Sequence, residues 1–521
     1  MAVWAVTVLF ALVTTAWSVV TPVTQSPDEP NHVGLVLHLA EGNPYPDFDG
    51  LRANQATFAA SMIYRPRLFA DVWLTPELAP PRGERGTFAD WGDDGYVDRP
   101  NQMPQHPPLY YWGTAAALRT ERALWPGADL AMEQEWHLLR LLNVLMLVPV
   151  PVLAWATARR LGAGDVGATA AAVVPLAVPQ LTHIGGAVNN DNLLVLLGAL
   201  VAFQVAGVLR GDVRVSTGAW LGVTTGLALL TKAFAIIFPP WIALAYGYRW
   251  WRRREDRRRS VVALAVAGAV TAAIWAWWPV RNLIRHGDPA PGIGGRLVRP
   301  GFEADLVGYL RTFASSITHR FWGHFGWFDP PLPRAAVVVA TAMALVAAVW
   351  AFRRGRPGSS GRAAVPPRVA LAVFAALFPL LLALVLQRAW SVHARTGRMA
   401  FIQGRYLFAA LIPFAVVVAV GLARLIGRRA PVIVLVGSGV MQAAGVHAVL
   451  QRWWAEPDAS LHRSLAAVVR WSPWPPVLTT GIAVAVPIAG VIAAVALLAD
   501  RDGGAGWRTA TTPAQSVAAP S

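Results

Sequence analysis

The chain has no cysteine. Disulfides, thiolate catalysis and cysteine-ligated metals are therefore excluded. Charge is also sparse: 14% of the 521 residues are charged against 55% hydrophobic, and the mean hydropathy is +0.44. Such a chain is too apolar for a soluble protein and suits a polytopic helical membrane protein, so counting domains from length does not apply. Lysine is nearly missing, Lys232 standing alone among 45 basic residues. The abundance of Arg, Ala, Val and Gly fits a GC-rich bacterial genome.

The net charge of +16 raises the question of nucleic acid. The densest basic run, Arg249-Trp250-Trp251-Arg252-Arg253-Arg254 continuing to Arg257-Arg258-Arg259, directly joins two apolar segments. A cytoplasmic loop, held by the positive-inside bias and by anionic membrane lipid, accounts for it better, and no nucleic-acid partner is expected.

Apolar runs and arginines together predict an all-α bundle of about twelve spans with both termini cytoplasmic. Ala2 to Val20 is the first; it lacks a basic leader and a clear cleavage site, so a retained anchor is expected rather than a signal peptide. Long outer loops are expected at residues 21–136 and 281–333. Within the first, Pro107 to Leu118 is apolar but too short to cross, and reads as an interfacial or re-entrant helix with Tyr110, Tyr111 and Trp112 at headgroup level. Residues 1–498 form one transmembrane domain, and the Gly, Ala, Thr, Pro and Ser of 499–521 read as a disordered cytoplasmic tail.

This topology sends a set of ionisable groups to the outer rim. Asp28 and Glu29 follow the first span, in Ser26-Pro27-Asp28-Glu29-Pro30-Asn31-His32. Asn189-Asn190-Asp191 fills an outer turn, Lys232 tips a hairpin, and Arg281 and Arg405 lie at span ends. Ionisable groups near hydrocarbon are costly and usually pair or serve a pathway. Arginine at such a place suits phosphate, because its planar fork donates two parallel charge-assisted bonds.

Each group also has a plainer reading. Ser26-x-x-Glu29 matches a capping box, and Asp28 is an equally good N-cap. Asp28 and His32 at i,i+4 would share a helix face, as metal ligands do. Lys232, Arg281 and Arg405 could each snorkel to headgroups. The asparagine run reads as a turn, and Phe321-Trp322-Gly323-His324-Phe325-Gly326-Trp327 as an aromatic belt.

Several strings together resemble one superfamily. Pro27-Asp28-Glu29-Pro30-Asn31-His32 is similar to the acidic motif of bacterial C-type (GT-C) membrane glycosyltransferases. His106-Pro107-Pro108-Leu109-Tyr110-Tyr111, Asn189-Asn190-Asp191-Asn192, Leu229-Leu230-Thr231-Lys232, Trp278-Pro279-Val280-Arg281-Asn282 and Gln403-Gly404-Arg405-Tyr406 resemble further signatures. The run from Phe321 to Pro333 narrows the resemblance to a largely uncharacterised bacterial group related to protein O-mannosyltransferases and aminoarabinose transferases.

The resemblance implies a GT-C-like bundle in the cell membrane with its active site outside the cytoplasm. It implies a polyprenyl-phosphate sugar donor and a glycan, lipid or protein acceptor. Asp28 is then the expected general base, with Glu29 as its partner or a metal ligand. Lys232, Arg281 and Arg405 are expected at the donor phosphate, and His32, His106 and Asp191 are further candidates. Some relatives use a divalent metal, for which Asp28, Glu29 and His32 are the candidate ligands. The alternatives are a transporter or flippase of a lipid-linked or anionic solute, and a binding or assembly subunit. Cations at one rim only, with no visible repeat, weigh against transport.

Overall fold

The computed structural model describes residues 1–63, 82–125, 130–292, 298–299, 301–327, 329–353, 366–454 and 460–502. The first helix, α1 (Ala2–Val20), buries Val6, Phe10, Val13 and Trp17. This is the stripe a 3.6-residue period puts on one face. Its Trp17 indole donates to Gln442 Oε1 at 2.7 Å and anchors the helix across the bundle.

The segment that follows folds into a small layer of its own. It holds α2 (Glu29–Ala40), strand β1 (Arg52–Asn54), α3 (Gln55–Ile63), strand β2 (Tyr96–Pro100) and α4 (Leu109–Leu124). The strands pair antiparallel, with an irregularity between Arg52 and Ala53. A second apolar core, including Val33, Val36, Leu37, Leu118 and Trp136, lies beneath them. Tyr110 and Tyr111 are fully buried in it, which corrects their expected place at headgroup level; only Trp112 of that trio is exposed. The physical reason is polar as well as apolar, since the Tyr110 hydroxyl donates to Asn143 Oδ1 at 3.0 Å.

The bundle proper begins with α5 (Met132–Leu147), α6 (Val150–Leu161), α7 (Asp165–Val173), α8 (Pro179–Gly185), α9 (Asp191–Arg210), α10 (Val215–Leu229), α11 (Phe238–Arg252) and α12 (Arg257–Trp275). It continues with α13 (Trp277–His286), α14 (Leu306–Trp322), α15 (Arg334–Phe352), α16 (Arg368–Ala375) and α17 (Leu377–Thr396). It closes with α18 (Leu411–Ile426), α19 (Ala430–Trp453), α20 (Leu461–Trp471) and α21 (Pro476–Asp502). Many apolar side chains on α15 and α21 point outward, among them Val338, Leu345, Val349, Ile488, Val491 and Val495. An apolar outer surface on helices of this length is what lipid, rather than water, selects.

Among the described residues, eight helices are long and apolar enough to cross a membrane, or nine when the bent α7–α8 pair counts as one span. The expected twelve differs in its treatment of short helices and of one long stretch. Helices α10 and α11 have only 15 residues each, about 22 Å of rise against a hydrocarbon core of about 30 Å. The stretch Gly404–Trp453 passes as one helix by composition but is a hairpin. Arg405 at its start reaches the carbonyl of Pro27, and Trp454 just past its end reaches that of Val20, so both ends return to one rim. The reversal falls at Gly427, whose φ of +59° suits glycine.

The expected second loop is not bare. It contains α14, whose Tyr309, Phe313, Ile317 and Phe321 recur every four residues and are all buried. Phe321, Trp322 and Phe325 are core rather than an aromatic belt: Phe321 packs on Phe378, Phe408 and Phe414, and Phe325 on Trp17. Only Trp327 of that run is exposed. Helix α21 runs through Asp502, past the expected start of the tail at 499, and the rest of the tail lies outside the described residues.

Candidate active site

The turn between α1 and α2 is held in an unusual backbone shape. Thr24 and Asp28 both take positive φ, 71° and 63°, a region that side-chain-bearing residues adopt rarely and that Asp tolerates better than most. Asp28 stands at the N-cap of α2 but its carboxylate does not cap it. Glu29 makes no capping box either, and the Ser26 hydroxyl is buried without a hydrogen bond. The acidic side chains are thus directed at the bundle and not at their own helix.

Asp28 Oδ2 accepts from the Arg405 guanidinium at 2.6 Å, and its Oδ1 from Gln102 Nε2 at 3.3 Å. Arg405 also donates to the Pro27 carbonyl at 3.2 Å. Its Nε lies 3.3 Å from Asp191 Oδ2, an ion contact in which neither atom forms a hydrogen bond. Asp191 Oδ1 accepts from Lys232 Nζ at 2.6 Å, and Lys232 donates to Asn190 Oδ1 at 3.2 Å. The result is an alternating array of carboxylate, guanidinium, carboxylate and ammonium. Tyr406 adds its ring to both cations, 5.0 Å from Lys232 Nζ and 5.7 Å from the Arg405 guanidinium carbon.

Distant segments reach this array because small residues let them. A Cβ on Gly198 of α9 would meet the Ala409 carbonyl at 2.6 Å, so α9, whose first turn carries Asp191, packs directly on the segment after Arg405. A Cβ on Gly404 would collide with the backbone of Arg320 and Phe321, so α14 lies against the chain at the residue preceding Arg405. Lys232 follows the last turn of α10 in extended conformation, its amide on the Ala228 carbonyl. Leu230, two residues earlier, accepts from the Leu109 amide and ties α4 to the same corner.

Glu29 belongs to a different pair. Its carboxylate is fully buried and receives Arg140 Nε and a terminal guanidinium nitrogen at 2.8 and 2.6 Å, plus the Val188 amide at 3.0 Å. Arg140 spends its other donors on the carbonyls of Ser18, Thr21 and Pro22. Both groups are therefore saturated, and the pair fastens α2, α5 and the end of α1 together. Arg140 escaped the sequence reading although the signal was there: an arginine inside the apolar run of α5 needs a buried partner.

Arg281 lies with a third group. It donates to Asp47 Oδ1 at 3.0 Å, stacks over Trp278, and shares Asp47 with Arg285 and His286. Burial would raise the Asp47 carboxyl, yet the Arg285 hydrogen bond and the charges of Arg281, Arg285 and His286 hold it below the ordinary value. Tyr45 stands between this cluster and His106, whose carbonyl accepts the Tyr45 hydroxyl at 2.8 Å. His32 stacks on Tyr111 and shares a 2.9 Å hydrogen bond with its hydroxyl. Burial first, then the charges of Lys232 and Arg405, hold His106 well below the usual imidazole range; burial and the same cations with His106 do so for His32. Both imidazoles are neutral at pH 7.

Among the described residues, no group of three or more His, Asp or Glu side chains converges as metal ligands. The expected set faces three ways, Asp28 to Arg405, Glu29 to Arg140 and His32 to Tyr111. In this arrangement guanidinium groups occupy both carboxylates, and the three side chains do not converge on one point.

Fold and site together define a multi-pass helical membrane protein with buried ion pairs gathered at one end of its bundle. The chain matches the family described as "Predicted membrane protein (DUF2142)" over residues 10–418, and it belongs to that family. No curated protein matches it significantly. Among solved structures it is similar to ArnT from Cupriavidus metallidurans bound to undecaprenyl phosphate, with a TM-score of 0.49, 16% identity, and coverage of 94% of this chain and 74% of that one. The apo state of the same protein gives 0.48 at the same identity and coverage. The apo Archaeoglobus fulgidus oligosaccharyltransferase gives 0.42 at 12% identity, covering 94% of this chain and 56% of its own.

Proposed function

We propose that this protein is a membrane glycosyltransferase that moves a sugar from a polyprenyl-phosphate donor to an acceptor hydroxyl at the outer face of the cell membrane. The observation that carries the reading is the array of Asp28, Arg405, Asp191 and Lys232, drawn from separate segments of the chain to one rim of the bundle. The motif resemblance supplies the substrate class. Four of its residues, Asp28, Asp191, Lys232 and Arg405, meet in this array, while Glu29 and Arg281 pair elsewhere.

The chemistry suits these groups. A lipid phosphate leaves without a strong acid when cations stabilise its growing charge, which is the role given to Arg405 and Lys232. Arg281, held by Asp47 on the far side of Tyr45, is the third candidate cation. The acceptor hydroxyl is the poor partner, and a carboxylate beside it, Asp28, takes its proton, worth typically about 10²–10⁴-fold. Asp28 is preferred to Glu29 as the base because Glu29 is fully buried and saturated by Arg140. A base on the face opposite the leaving group gives inversion at the anomeric carbon.

The test is radiolabelled sugar transfer by the purified full-length protein from a panel of polyprenyl-phosphate sugars, with glycan, lipid and peptide acceptors in turn. Transfer from one donor that disappears in Asp28→Asn is the expected result. Retention of full transfer by Asp28→Asn would remove the base from this reading.

A further inference from the structure

The array is internally neutral. Two carboxylates face two cations, and the cations proposed for a phosphate are already in ion pairs. An incoming anion must therefore take a cation from a carboxylate. The array is not uniform in this respect: the Asp28 side chain is 19% exposed, against 4%, 5% and 2% for Arg405, Lys232 and Asp191. Asp28 is the most exposed member, and the one carried at a positive φ.

Resting on the transferase reading, we propose that the Asp28–Arg405 ion pair is a latch: the donor phosphate displaces Asp28 from Arg405, and the base is released only once the donor is seated. In the latched state Asp28 Oδ2 is held by the guanidinium and Oδ1 by Gln102, so both oxygens are engaged. A phosphate oxygen on Arg405 takes the place of Oδ2. Arg405 Nε, buried without a hydrogen bond, and the unpartnered Asn190 amide group supply further donors toward the same corner.

The latch orders the reaction. The donor binds first and frees Asp28. The acceptor oxygen then bonds to the anomeric carbon as the bond from that carbon to the phosphate oxygen breaks, with its electron pair going to the phosphate. The acceptor proton passes to Asp28. Protonated Asp28 no longer competes for Arg405 and leaves the product phosphate in place. Once that proton departs, the carboxylate competes again and helps expel the lipid phosphate.

The latch predicts a gain of binding from loss of the base. Farnesyl phosphate binding to the full-length protein in detergent, measured by calorimetry with farnesol as the uncharged control, should tighten about tenfold or more in Asp28→Asn. Asp28→Ala should tighten likewise, which guards against misfolding or a residual hydrogen bond in one variant. Unchanged or weaker binding in both variants, with wild-type binding intact, overturns the latch and leaves the transferase reading standing. If the wild type binds farnesyl phosphate no better than farnesol, the cation site and the latch fall together.

Discussion

The two ends of the bundle spend their charges in opposite ways. At the site end the ionic groups are buried and held in pairs, Asp28 with Arg405, Asp191 with Lys232 and Glu29 with Arg140. At the other end arginines outnumber their partners and many are exposed: Arg159 faces Asp165, Arg253 faces Glu255, and Arg214 joins Arg160 around Asp212. Arg424 there caps the carbonyls of Trp350 and Ala351 at the end of α15. Exposed pairs contribute little to stability and orient the chain by their sum; buried pairs are costly to desolvate and are strongly felt when one partner is lost.

The largest expected effect breaks the site end at its base. Asp28→Asn should lower sugar transfer about 10²–10⁴-fold while expression and membrane insertion stay normal. Loss of insertion would instead place Asp28 among the structural pairs. Next is Arg140→Met, which strands the Glu29 carboxylate with only the Val188 amide and should destabilise by about 3–5 kcal/mol, read as a fall in thermal midpoint in detergent. A near-silent Arg140→Met would show that this pair is solvated in the membrane.

Gly404→Ala sharpens the comparison by leaving every charge in place. The added Cβ collides with the Arg320 and Phe321 backbone, so the segment carrying Arg405 must shift. Transfer should fall about tenfold or more, since displacement on the scale of an ångström is heavily penalised in a preorganised site. The fold should survive, as the chain at that point lies at a helix junction. Transfer equal to wild type would mean that the position of Arg405 is not critical.

Much of the site end was legible in the sequence because ionisable residues at apolar span ends are rare and stand out. Asp28, Asp191, Lys232 and Arg405 were read that way, and they meet. Which of two adjacent carboxylates turns to which cation was not legible. It depends on the positive φ of Asp28, and no composition rule fixes a backbone angle at a non-glycine residue. Arg281 was read by the same rule as Arg405 yet sits with Asp47, a loop residue with no pattern around it. The aromatic run at 321–327 was misread because belts and cores draw on the same residues. The repeat of Tyr309, Phe313, Ile317 and Phe321 was the available evidence for a buried helix.

The smallest expected effect lies at the arginine-rich end and asks whether it is built differently. Arg214 holds Asp212 through two hydrogen bonds, at 2.8 and 3.0 Å, but its side chain is 74% exposed. Removing it does not orphan Asp212, which keeps Arg160 at 2.7 Å and the Thr217 hydroxyl at 2.8 Å. Arg214→Ala should therefore leave the thermal midpoint close to that of the wild type and leave transfer unchanged. Glu29 has no such reserve, since Arg140 supplies both of its charged contacts. The difference between the two ends is thus one of redundancy as well as burial. Measuring Arg214→Ala beside Arg140→Met in one detergent tests it directly, and equal losses in the two variants would erase the distinction.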